Sequence, residues 1–98
     1  MKVRNLERNG RNVPNQFEIR ICNRFYFQSY ECVVACVDIG DNQVTLTNNW
    51  KYSPTTLKYL KQFLNEHGYN VTTKSDIQNK LNLGVFKLFE YDNSLTLC

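Results

Sequence analysis

Between Gln16 and Thr47 the chain alternates apolar and polar residues in short runs parted by breaks of a few residues. A period of two is the signature of strands, because successive side chains point to opposite faces. Repeated strands with turn residues between them exclude a helical bundle and point to a meander. In residues 16–22, Phe17, Ile19 and Ile21 read as the core face, with Glu18 and Arg20 opposite. Cys22-Asn23-Arg24 is a tight connection in which Asn23 suits a left-handed backbone. Residues 25–30 follow as a hairpin partner, with Phe25 and Phe27 inward and Tyr26 outward. Residues 31–38 are apolar on both sides between two acids, the pattern of a central strand covered twice. Residues 43–47 alternate again, with Val44 and Leu46 inward.

After the meander the period changes. Ser53-Pro54 is a helix start, a hydroxyl cap with proline at the first helical position. Leu57, Leu60 and Leu64, with Phe63 beside them, form one apolar stripe, and His67-Gly68 closes the helix. Ser75 with Gln78 predicts a capping box for a shorter helix that Gly84 ends. Residues 85–91 read as a strand apolar on both faces, Asp92-Asn93 as a turn, and 94–98 as a short edge strand. The expected fold is α+β: an antiparallel meander with one longer and one short helix on one face, closed by a C-terminal strand. Residues 1–15 hold a Gly, a Pro and several Asn and read as a basic arm or a short first strand. Residues 16–98 form the single domain expected of a 98-residue chain that is 42% hydrophobic.

No apolar run approaches the ~18 residues that a membrane helix needs, and no apolar segment follows Met1 as in a secretory signal. The expected setting is the cytoplasm, where cysteines stay reduced. Cys32 and Cys36, four apart on a strand, lie about 13 Å from each other on one face, too far for a disulfide or a shared metal. Cys22, Cys32 and Cys36 are therefore expected as free, poorly reactive thiols, with Cys98 the accessible one. With His67 the lone histidine, no metal site and no cofactor is implied.

The net charge of +3 is unevenly placed. All five arginines, Arg4, Arg8, Arg11, Arg20 and Arg24, fall in the first 24 residues, whereas residues 25–50 carry only Glu31, Asp38 and Asp41 as charges. A guanidinium is a planar, permanently charged fork suited to carboxylate or phosphate. The five are expected to lie near one surface and to form part of a partner contact.

Certain words in the chain also form a pattern: Asn15-Gln16-Phe17-x-Ile19, Tyr26-Phe27-Gln28-Ser29-Tyr30, and Trp50-x-Tyr52-Ser53-x-Thr55-Thr56-x-Lys58-Tyr59. In combination they resemble a family of small uncharacterised proteins encoded by phages and mobile elements. The resemblance runs from about Gly10 to the closing strand. It departs at Thr47-Asn48-Asn49, where an acidic, aromatic-rich lead is usual, and in a longer loop over 68–74. It implies a phage-type context and no particular activity.

Enzymatic chemistry finds little footing. The lone histidine, His67, sits at a helix end, where a cap or surface role suits it. Ser29 lacks a nucleophile elbow. The four glycines are scattered, so no phosphate loop forms. No catalytic residue is assigned. Two binding readings remain. One is non-catalytic binding to a host protein, with a defence protein such as a CRISPR nuclease as the target class. The other is nucleic-acid binding by the basic arm and the first hairpin, with Arg20 and Arg24 among aromatics. Candidate partner-binding residues are the five arginines with Tyr26, and a second surface of Tyr52, Thr55, Thr56, Lys58 and Tyr59. On that surface Thr55, Thr56 and Lys58 are expected to point outward.

Overall fold

The structure is a computed structural model and describes residues 1–89. Six strands form one sheet in the order β1 to β6. They are β1 Lys2–Arg8, β2 Arg11–Ile21, β3 Arg24–Ser29, β4 Cys32–Asp38, β5 Gln43–Thr47 and β6 Phe86–Phe89. The first five make an antiparallel meander. A 3-10 turn over Asn48–Lys51, helix α1 over Pro54–Glu66 and helix α2 over Lys74–Asn82 lead to β6. The expected α+β architecture is what the chain adopts. Its closing strand runs parallel to β5 rather than antiparallel, because the long crossover returns the chain to the end where β5 began. The expected turn at 92–93 and edge strand at 94–98 lie outside the described residues.

Of the two expectations for the N-terminal stretch, the first strand is what forms, and it is seven residues long. Asn9 and Gly10 both take left-handed backbone, with φ of 55° and 76°, and Arg8 pairs with Arg11 across them. Asn-Gly is the strongest two-residue hairpin signal, so β1 forms a full edge strand and β2 begins at Arg11. In the next hairpin Cys22, not Asn23, takes the left-handed conformation, at φ 55°.

Residues paired across the ladders share a face. One row runs Arg4, Glu18, Phe27, Ala35 and Leu46, and the next runs Lys2, Arg20, Phe25, Val37, Val44 and Phe86. This is the helix side. Leu6, Phe27, Val37 and Leu46 join Leu60, Phe63, Leu64 and Ile77 there in one fully buried cluster. Residues 16–21 form the strand that the alternation predicts, with the opposite face turned to the core. Gln16 and Glu18 are buried on the helix side, and Phe17, Ile19 and Ile21 lie on the other. The register with β3 decides this: Phe27 must enter the core, and Glu18 is its direct neighbour. β4 is central as expected, yet only one of its faces is covered by helix, and Val33 and Cys36 on the other are half-buried.

Ser53 caps α1, accepting from the Thr56 amide, with Pro54 first in the helix. At the far end the Tyr69 amide donates to the Leu64 carbonyl and the Gly68 amide to that of Asn65. With Gly68 at φ 89° this is a Schellman closure. The cap of α2 sits two residues earlier than expected: Thr73 and Asp76 form the capping box, not Ser75 and Gln78. Among the described residues no helix is long and apolar enough to cross a membrane.

The cysteines meet expectation in part. Cys22 is free but exposed, Cys36 is free and half-buried, and Cys32 is disulfide-bonded. Cys98 lies outside the described residues.

Candidate partner-binding site

The β1–β2 hairpin collects Lys2, Arg4, Arg8, Arg11 and Arg20 at one edge of the sheet. Its register sets Lys2 directly opposite Arg20 and Arg8 directly opposite Arg11. Like charges so placed weaken a ladder. Between these pairs lies an opposite one, Arg4 and Glu18. Arg4 Nε donates to Glu18 Oε2 at 2.8 Å, and its Nη2 donates to Glu66 Oε1 on α1 at 3.2 Å. The other Glu18 oxygen accepts from His67 Nε2 at 2.6 Å. A carboxylate offers only acceptors, so Nε2 carries the hydrogen.

Burial alone would raise the Glu18 carboxyl. The hydrogen bonds from His67 and Arg4 outweigh it, and the group sits below its ordinary range. Arg4 is likewise opposed by burial and carried upward by Glu18 and then Glu66. The His67 ring is held by Phe25 and Phe63, with centroids 4.6 and 4.8 Å away. Arg20 lies 5.3 Å over the outer side of Phe25. Glu18, Arg4, Arg20 and Phe25 line a shallow groove of about 410 Å³ with Lys2 and Val3. Arg4 is already engaged, so Lys2 and Arg20 are the cations that this groove offers to an anion.

The five arginines do not share one surface. Arg4 and Arg20 flank the groove, Arg8 and Arg11 sit at the far end of the hairpin, and Arg24 lies on the opposite face. There Arg24 is joined to Asp38 at 3.2 Å. Tyr26 shares that opposite face, across from Cys36. The strand alternation separates Arg24 from Arg20, although a single tight turn joins their strands.

The second surface is divided too. Thr56 is buried, with its hydroxyl 2.9 Å from that of Ser29, and Tyr59 is buried in the core. Neither points outward, because both fall on the side of α1 that meets the sheet. Lys58 is exposed, with its ammonium 5.3 Å over the Tyr59 ring. Tyr52 and Thr55 remain exposed and rim a cleft of about 680 Å³ with Asn15, Tyr30, Glu31 and Ser53.

Lys2, Glu18 and His67 were not among the expected site residues. The alternation reads Glu18 as an outer-face residue, and His67 is the C-cap of α1. Nothing local in the sequence connects two residues 49 positions apart. Among the described residues, no three His, Cys, Asp or Glu side chains gather as metal ligands.

Residues 1–79 match the Family of unknown function (DUF8033). The chain belongs to that family. The matched DUF8033 segment contains the whole meander, α1 and the start of α2. No curated protein and no solved structure matches the chain.

Proposed function

We propose that this chain is a non-catalytic binding protein whose β1–β2 hairpin docks on an acidic patch of a host protein. The observation that carries this reading is the presence of two like-charged pairs, Lys2 with Arg20 and Arg8 with Arg11, on one edge hairpin. Each pair costs ladder stability while it faces water and gains a bridging partner when a carboxylate enters between its members. Charges on an edge strand also deter strand-to-strand aggregation. The binding reading goes further, because it requires an anion between the paired cations.

A protein partner suits the site better than nucleic acid. Bases are bound by stacking on exposed aromatics beside cations. In the β2–β3 hairpin neither face offers a row of aromatics: Arg24 and Tyr26 lie on one face, where Arg24 is joined to Asp38, and Arg20 and Phe25 lie on the other. The Phe25 ring is flanked by Arg20 and His67. The resemblance to phage and mobile-element proteins supports a partner in the host cytoplasm. An inhibitor of a host defence system, a CRISPR nuclease among the targets, is the role we propose.

Capture from host lysate with and without nuclease tests this reading, using the parent chain, the double variant Lys2→Ala/Arg20→Ala, and Arg24→Ala as control. A protein recovered by the parent and by Arg24→Ala, lost with the double variant and retained after nuclease supports the reading. Its affinity should weaken modestly with salt, since exposed charges are screened over ~8–10 Å. Loss of everything on nuclease treatment, with a steep salt slope, would move the assignment to nucleic acid.

A further inference from the structure

The sheet face away from the helices carries the large apolar side chains that the alternation of β1 and β2 sends outward. Val3, Ile19 and Tyr26 are consecutive in one row across the first three strands, Phe17 lies in the next row, and Ile21 lies beyond Ile19 at the end of β2. Val3 is 56% exposed and Ile21 43%. The same alternation sends Lys2, Arg4 and Arg20 to the helix side. Among the charges on the apolar face, Arg24 and Asp38 are joined to each other, with Asp41 beside them and Lys87 at the far edge strand.

We infer that this face is the contact with a second copy of the chain, giving a two-sheet sandwich about a two-fold axis. Charge selects this occupant. A self-complementary contact brings each patch against itself, so a patch with net charge of one sign repels its copy. The basic hairpin is such a patch, and the apolar face is not. An axis running across the strands sets β2 over β2, placing Ile19 and Ile21 near their counterparts. It also leaves the cations of both hairpins pointing away from the contact.

Area agrees. Six strands of four to eleven residues, at about 3.4 Å per residue and about 4.8 Å apart, give a face of roughly 650 Å² in projection, and pleated side chains bring its accessible area toward the ~800 Å² per partner of a stable contact. Two such sheets pack about 10 Å apart. The dimer leaves both basic hairpins free, so this inference does not depend on the function proposed above.

Sedimentation velocity of the full chain from about 1 to about 300 μM tests the dimer. The parent should shift from monomer to dimer within that range. Ile21→Glu, an exposed position at a strand end, should raise the dimer dissociation constant about tenfold or more while leaving the circular dichroism unchanged, because the contact would desolvate a carboxylate whose neighbouring cation, Arg24, is already joined to Asp38. Ile19→Asp is the second variant, and Arg20→Ala should dimerise like the parent. A parent that stays monomeric throughout overturns the inference. A dimer that survives both Ile21→Glu and Ile19→Asp, each still folded, overturns it as well.

Discussion

Glu18 Oε1 and His67 Nε2 stand 2.6 Å apart, joining the middle of β2 to the closing residue of α1. With Arg4 on the other oxygen, a buried carboxylate is held by one partner from the edge strand and one from the helix. Removing the carboxylate leaves the largely buried His67 Nε2 without its acceptor, which costs about 1–3 kcal/mol, while half-exposed Arg4 keeps Glu66 and water. The Glu18 carboxyl ionises at lower pH in the folded chain than in the unfolded one. Its contribution is therefore complete above the ordinary carboxylate range and is lost as pH falls through the lowered folded value. Urea melts of the parent and of Glu18→Ala should differ most above about pH 5 and converge in acid. A difference independent of pH would mean that the carboxylate charge is not what holds the cluster.

Gln16 gives the opposite expectation. Its side chain is 1% exposed, and neither its amide nitrogen nor its oxygen has a hydrogen-bond partner. A buried polar group in that state costs more than an apolar one of equal shape. Gln16→Met should therefore raise stability by about 1–2 kcal/mol, read as a higher denaturant midpoint with an unchanged slope. A lower midpoint would show that the amide is satisfied in solution.

Leu60 sits fully buried where α1 meets the sheet. Leu60→Ala should cost about 2–5 kcal/mol, since the removed methyls leave a cavity in a packed core. A melting temperature that did not move would contradict the placement of that helix face.

Thiol labelling separates the two free cysteines. Cys22 is exposed in the β2–β3 turn, whereas burial pushes the Cys36 thiol up. Only the thiolate reacts, so Cys22 should label about tenfold faster or more at neutral pH. Faster labelling of Cys36 would contradict its half-buried place on β4.

Much of this architecture is legible in short windows of sequence. Ser53-Pro54 and His67-Gly68 bound α1 because a cap hydroxyl, a proline and a left-handed glycine each act within one turn. The alternation from 16 to 47 specifies strands because a period of two depends only on backbone geometry. Asn9-Gly10 was equally local, and the hairpin it makes turns the supposed arm into β1. What no window contained was the face that β2 presents inward. Alternation is symmetric under a one-residue shift, so Phe17-Glu18-Ile19 reads as well with either side buried. Only pairing with Phe27 on one flank and Arg4 on the other, with His67 arriving from the end of α1, sends Glu18 inward and leaves Ile19 and Ile21 outside. The direction of β6 was likewise set by the crossover through α1 and α2. The sequence by itself determined the elements and their ends, because those depend on neighbours along the chain. The tertiary structure alone decided which face is core, because the residues that satisfy a buried carboxylate lie 14 and 49 positions away from it.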